Sequence, residues 1–402
     1  MDKLKEAREH LGCGNYTDDE EALSCIERLI FEDCRSARFT ADQLAAAIQK
    51  IFHKTRSRLG ILQPLMEDPL VTEIMVNGPD HIFIEREGRL QRWPHTFDTM
   101  EELEEIIRNI AAQVHREINE LQPIVDARLP DGSRINAVYR NVAVNGPTLT
   151  VRRFSESYLT MESLVESGSI SEEGAGLMEI MTACGYNIFV SGGTSSGKTT
   201  FLNAMADFIP EEERVIIAED SSELKLSNVE NIVHLECRNS NTFGRGTVSM
   251  SQLIKSSLRM RPDRIVVGEV RGAEVLDMLQ AMNTGHAGMS TGHGNSVEGM
   301  LQRLETMYLM AMPLQIDAVR AQIAEALDIM VHLERMEDGT RRVVEICELA
   351  GFRNGRYLLN SMLVRNESGI LIRTGNMLQQ KRKLLLKGER YIDRLRKMGF
   401  IP

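Results

Sequence analysis

The spacing of apolar residues changes twice along the chain. Over the first 60 residues Leu44, Ile48, Ile51 and Phe52 recur at three- or four-residue intervals, with no turn pair after Gly14, which predicts a helical bundle or arm. From about Leu62 the period shortens. Glu73 to Val76 precede Asn77-Gly78, and His81 to Glu85 precede Glu87-Gly88, a hairpin pattern. A stripe of Leu103, Ile106, Ile107, Ile110 and Val114, opened by acidic residues, then predicts a helix over 101–118, followed by a β-rich stretch over 135–154. Beyond Ser155 helices alternate with short apolar runs at 187–190, 214–218, 232–235, 264–267 and 288–291. That alternation predicts a mainly parallel sheet covered by helices. Hairpin-like runs at 329–333 and 342–349 close the domain near residue 365. The division expected is therefore a helical arm (1–60), a small α/β domain (61–154), a larger α/β domain (155–365) and a basic tail (366–402). In the tail Leu384, Leu385, Ile392, Leu395 and Met398 interleave with Lys and Arg, which predicts an amphipathic helix, either solvated or laid against a membrane surface or an acidic partner.

Composition fits this division. With 402 residues, 42% hydrophobic and 26% charged, the chain can bury two or three cores. The net charge of -11 argues against general nucleic-acid binding. No apolar run approaches the roughly 20 residues of a membrane span, and the opening Met-Asp-Lys-Leu-Lys-Glu has no apolar segment of a signal peptide, so a cytoplasmic location is expected. Cys13, Cys25, Cys34, Cys184, Cys237 and Cys347 are scattered without zinc-ligand spacing and read as buried or free thiols.

The sharpest chemical signal is Gly192-Gly193-Thr194-Ser195-Ser196-Gly197-Lys198-Thr199, with Thr200 following. It fits G-x-x-x-x-G-K-[ST] without a mismatch, after an apolar strand and before a helical run that stops at Pro210. Glycines let backbone N–H groups converge on phosphate oxygens, Lys198 adds a point charge, and the Thr199 hydroxyl reaches Mg²⁺. A phosphate-gripping loop for ATP is the expectation, against a plain glycine-rich turn.

Further groups could complete a hydrolytic site. Glu269 follows the strand at 264–267, at the edge where open α/β sheets bind ligands, and suits the task of orienting and deprotonating water. A second strand delivers Glu219, Asp220 and Glu223, which either hold Mg²⁺ through water and share that task or cap the next turn. Thr199, Glu219 and Glu269 are thus the candidate Mg²⁺ ligands. His286 and His293 flank another strand, each beside glycine, and are read as γ-phosphate sensors, His293 the more firmly. Arg134, Arg152, Arg153 and Arg271 are candidates for neutralising the transferring phosphoryl group, or are ordinary surface charges.

These four segments in this order resemble the secretion ATPase superfamily of type II and type IV secretion systems and type IV pili. Its phosphate loop, acidic box, Gly-Glu strand and two-histidine box correspond to Gly192–Thr199, Glu219–Glu223, Val267–Arg271 and His286–His293. Upstream, Val71-Thr-Glu-Ile-Met-Val-Asn-Gly78 and the segment from Val125 to Ala137 resemble the CpaF branch, which serves Tad/Flp pilus assembly. The resemblance implies a RecA-like P-loop domain and a homohexameric motor for pilus assembly or protein secretion. It further implies ATP held between the N-terminal and RecA-like domains, N-terminal arginines reaching the phosphates, and docking on an inner-membrane platform protein at the inner face of the cytoplasmic membrane. The four-cysteine zinc insert common in type II secretion and pilus-extension relatives is missing. Two alternatives stay open: a type IV secretion or DNA-transfer ATPase using the same residues, and a nucleotide-dependent scaffold that does not hydrolyse.

Overall fold

The computed structural model describes residues 19–32, 40–56, 59–114, 116–153, 159–238 and 246–402, so Cys13, Gly14, Cys34, Phe154 and Ser155 lie outside the described residues. The chain forms two units, Met1–Glu156 and Ser157–Pro402.

In the first unit, helices Asp19–Phe31 and Ala41–Arg56 bury Ile26, Ile30 and Ile48, with Leu44, Ile51 and Phe52 packed alongside. Six antiparallel strands follow: β1 Val71–Asn77, β2 Ile82–Arg86, β3 Arg89–Arg92, β4 Ile124–Arg128, β5 Arg134–Val138 and β6 Thr148–Arg152, in the order β3-β2-β1-β6-β5-β4. Helix Met100–Gln113 packs Leu103, Ile106, Ile107 and Ile110 into the core of this unit, and Thr99 caps it by accepting a bond from the Glu102 N–H at 3.2 Å. The helix ends five residues before its apolar stripe predicted. Ile118 shares the stripe's spacing and its core, but it reaches that core from a loop after Val114 has left helical geometry.

The second unit holds nine strands: β7 Ile188–Gly192, β8 Val215–Glu219, β9 Ile232–Glu236, β10 Arg264–Val267, β11 Ala287–His293, β12 Ile329–Arg335, β13 Arg341–Arg353, β14 Arg356–Arg365 and β15 Leu371–Arg373. Their order is β15-β14-β13-β12-β7-β11-β10-β8-β9, parallel from β12 to β9 and antiparallel from β12 to β15. Every residue of β7, β8 and β10 is buried, because helices cover both faces and the side chains alternate between two cores. Ile188, Val190, Ile217 and Val266 face one core; Phe189, Ala218, Ile265 and Val267 face the other. Arg264, fully buried at the start of β10, is matched by Glu213 Oε2 at 2.8 Å and the Thr182 carbonyl at 2.9 Å. A buried charge persists only with such partners.

The tail departs from the single amphipathic helix that its sequence suggests. It forms β15 and two short helices, Arg382–Lys387 and Ile392–Lys397, broken at Gly388, where a Cβ would meet Cys184 Sγ at 2.5 Å. Leu378, Leu384, Leu395, Phe400 and Ile401 are part of the main core. The fully buried Glu348 accepts the Gln379 N–H at 2.9 Å and the Gln380 N–H at 2.6 Å, and Asp328 holds Lys383 at 2.7 Å. Among the described residues no helix is long and apolar enough to cross a membrane.

Candidate functional site

Parallel strands deliver their C-terminal ends to one edge of the sheet, and the ends of β7, β8, β10 and β11 bring Gly192, Glu219, Gly268 with Glu269, and His293 there. The phosphate loop leaves β7 and enters helix Lys198–Ala206 through left-handed turns at Ser195 (φ 57°) and Gly197 (φ 90°). At Gly192 a side chain is excluded outright: a Cβ would lie 2.5 Å from the Leu333 carbonyl and from Ser196 Oγ. Lys198, 7% exposed, folds over the loop and donates to the carbonyls of Gly192 at 3.1 Å and Gly193 at 2.7 Å. Thr199 and Thr200 follow on the first turn, half-buried, while Gly193, Thr194 and Ser195 form the exposed lip.

Lys198 Nζ also lies 3.3 Å from His293 Nδ1, and His293 Nε2 lies 2.9 Å from Glu269 Oε1. An ammonium has only protons to give, so Nδ1 accepts and the ring proton sits on Nε2, in close contact with Glu269 Oε1 but without the alignment of a hydrogen bond. Burial, reinforced by Lys198, holds the His293 pKa below its ordinary value and keeps the ring neutral for this role. The other oxygen of Glu269 receives Arg271 Nη2 at 2.8 Å, and that hydrogen bond raises the arginine's pKa, with Asp220 and Glu223 adding to the field. The result is a chain of polar contacts, Lys198–His293–Glu269–Arg271.

The remaining candidates divide. Glu219, 3% exposed, accepts the backbone N–H groups of Glu223 at 3.0 Å and Leu224 at 3.1 Å, holding the turn that carries Glu223. His286 is not brought to the site. It precedes β11, so the length of that seven-residue strand, about 23 Å at 3.3 Å per residue, lies between its Cα and that of His293. Its Nδ1 lies 3.2 Å from both the Ala281 carbonyl and Thr284 Oγ1, at the C-terminal end of helix Val275–Asn283.

In the N-terminal unit, register sets Arg128 opposite Arg134 and Arg134 opposite Arg152, on the face away from Val125, Ile135 and Val151. The row continues on the same face with Glu73 opposite Arg152 and Glu85 opposite Glu73, so three arginines and two carboxylates share one line across the sheet. Arg153 turns elsewhere: its guanidinium donates to the Asp68 carbonyl and, at 3.0 Å, to that of Val71.

Four residues lie beyond the reach of the sequence motifs alone. Arg128 was legible in principle, since pairing across the Pro130–Ser133 turn sets it against Arg134. Arg341, at the start of β13, donates Nε to the Ser195 carbonyl at 3.0 Å and lays its stem on Gly197, where a Cβ would meet its Cδ at 3.1 Å. The neighbouring Arg342 lines a cavity of about 500 Å³ together with Val165, Ile170, Ser171, Met336 and Leu371. His332, 3% exposed on β12, places Nδ1 2.9 Å from Ser191 Oγ at the root of the loop, and burial lowers its pKa. Only the tertiary fold reveals the last three.

Comparisons with known proteins show the family. The profile of the family described as "Type II/IV secretion system protein" matches residues 55–397. Over 300 residues the chain is 36% identical to a probable conjugal transfer protein, TrbB, of Sinorhizobium fredii, covering 74% of this chain and 88% of that protein. A putative conjugal transfer protein of Mycobacterium tuberculosis is 34% identical over 297 residues, covering 72% and 84%. The solved ATPase DotB of Yersinia pseudotuberculosis superposes with a TM-score of 0.52 over 79% of this chain and 81% of that one, at 18% identity. That likeness is one of fold: a RecA-like ATPase domain preceded by a smaller α/β domain.

Proposed function

This chain belongs to the type II/IV secretion system protein family, and from that premise we propose that it hydrolyses ATP as a ring-forming motor of a conjugal-transfer or type IV secretion apparatus. The observation carrying the hydrolytic reading is the contact chain from Lys198 through His293 to Glu269, which links the phosphate loop to a carboxylate at the ligand edge of the sheet. A mere phosphate cradle needs no such link.

In this reading the loop N–H groups and Lys198 grip the phosphates. Glu269, held from two sides by His293 and Arg271, orients the attacking water and takes its proton. The donor set fits Mg²⁺, a hard ion that shares its shell with nucleotide oxygens and waters. Thr199 offers a hydroxyl on the first turn, and among the described residues no three His, Cys, Asp or Glu side chains gather into an all-protein cage. When bound, Mg²⁺ neutralises charge on the β- and γ-phosphates. Glu219 serves the site by fixing its turn, and Glu223 remains a candidate to share the work of Glu269.

Arg128, Arg134 and Arg152 supply the positive charge that a phosphoryl transfer draws on, and a homohexamer on an inner-membrane component is the assembly that would use it. The conjugal-transfer names of the relatives favour this apparatus over Tad/Flp pilus assembly, for which the segments Val71–Gly78 and Val125–Ala137 remain the argument. Neighbouring genes separate the two: channel and coupling-protein genes support transfer, and prepilin and platform genes support the pilus.

The decisive measurement is ATP turnover of the full chain. Lys198→Ala and Glu269→Gln should each lower it at least about a hundredfold, Glu269→Gln while still binding nucleotide. Wild-type turnover no higher than that of both variants refutes hydrolysis.

A further inference from the structure

Helix Arg382–Lys387 carries three consecutive leucines, and only the first enters the core. Leu384 is 1% exposed, whereas Leu385 and Leu386 are 66% and 73% exposed. Near them in the chain stand Lys381, Arg382 and Lys387, and Arg390 in the single 3-10 turn Glu389–Tyr391 that follows. Lys383 is spent on Asp328. Lys387 comes no nearer than 4.0 Å to Glu213 and is 58% exposed, a contact that water and salt largely screen. Glu389 is the sole acidic side chain from Lys381 to Arg390.

The segment is also rigid. Glu348 grips the N–H groups of Gln379 and Gln380, Leu384 and Leu395 are buried on either side, and Tyr186 donates to the Gln380 carbonyl at 2.7 Å. The leucines are therefore held outward by the fold instead of fraying there, and little conformational entropy remains to be lost on docking.

We infer that Lys381–Arg390 is a docking surface for an anionic lipid bilayer, the two leucines entering the headgroup boundary and the four cations meeting lipid phosphates. Two apolar side chains ringed by Lys and Arg are the pattern of an interfacial anchor, in which burial of the apolar tip and attraction to acidic headgroups add. The chain's net charge of -11 does not oppose this at contact. Beyond about 8 Å at physiological salt its distant carboxylates are screened, and the local cluster sets the field. An acidic protein would satisfy the cations but leave the leucine pair unexplained. This surface stands apart from the nucleotide site, so the inference holds whether or not the chain hydrolyses ATP.

Sedimentation of the full chain with vesicles tests it. Wild type should bind vesicles of phosphatidylcholine mixed with phosphatidylglycerol, release as salt rises, and ignore phosphatidylcholine alone. Arg382→Gln/Lys387→Gln/Arg390→Gln should weaken binding at least about tenfold, as expected for three cations at an anionic surface. Leu385→Ser/Leu386→Ser should weaken it several-fold, with ATP turnover and self-assembly as in wild type. Equal binding of wild type to neutral vesicles, or unchanged binding by either variant, overturns the inference. So does loss of self-assembly with vesicle binding intact, since the surface then belongs to a second copy.

Discussion

The two ends of β11 carry the same kind of residue in different surroundings. At its C-terminal end His293 stands between an ammonium and a carboxylate, and burial, reinforced by the ammonium, depresses its pKa. Just before its N-terminal end His286 lies against a helix terminus, beside a carbonyl and a hydroxyl. Both histidines neighbour glycine, and the sequence pattern suggests phosphate sensing for both. What separates them is strand direction: in a parallel sheet only the C-terminal ends converge on the ligand edge, where Gly192, Glu219 and Glu269 also arrive. The same principle limits what any local motif can say about a residue seven positions away.

The largest effect that bears on this contrast is expected at His293. His293→Ala removes both links of the chain, leaving Lys198 and Glu269 in place but unconnected, and should lower ATP turnover about a hundredfold while changing nucleotide affinity little. The pH profile sharpens the assignment. A neutral ring is required because Nδ1 accepts from Lys198. The folded pKa lies below the unfolded one, so the unfolded chain binds the proton more readily, and the stabilisation is present above about 6.5 and lost as pH falls through the depressed value. Wild-type turnover should fall on that same acid limb, and His293→Gln should flatten it. A limb that is identical in the variant removes His293 from the chemistry.

Arg341 extends the comparison to the loop itself. Its Nε bond to Ser195 and its stem on Gly197 support the two left-handed turns that shape the loop. Arg341→Ala should weaken ADP and ATP binding about fivefold each, the worth of one such hydrogen bond, with turnover at saturating ATP within about twofold of wild type. Fluorescence titration with a labelled nucleotide reads the first quantity and a coupled assay the second. Loss confined to ATP would instead place Arg341 at the γ-phosphate.

How far the sequence could be read follows the range of the interactions. The phosphate loop is contiguous, and each of its residues has a local task, so Gly192 to Thr199 were legible from the chain. Strands buried on both faces, such as Ile188–Gly192 and Val215–Glu219, announce themselves as unbroken apolar runs. Strand β4 does not: only Val125 and Ala127 face its core, and Asp126 and Arg128 face outward. The tail misled for a different reason. Its charges suggest solvent, but its fold is set by Glu348 and Asp328, more than 30 residues upstream. Arg341 touches Ser195 across 146 positions, a pairing no spacing rule reaches.

The smallest effect is the one most able to break the contrast. If His286 only finishes helix Val275–Asn283, His286→Ala removes a polar contact at a helix end, worth about 0.3–1 kcal/mol, which in a unit of this size moves the melting temperature by about 1–3 °C. Turnover and nucleotide affinity should both stay within about twofold of wild type, because about 23 Å of strand lies between His286 and the loop. A turnover loss near that of His293→Ala, with the melting temperature unchanged, would mean that His286 meets a nucleotide other than the one on its own phosphate loop. In a ring the only such nucleotide is held by a neighbouring copy. Mixing His286→Ala with Lys198→Ala chains would then restore activity at junctions where an intact His286 faces an intact loop, and a mixture no more active than either parent would return His286 to the helix end.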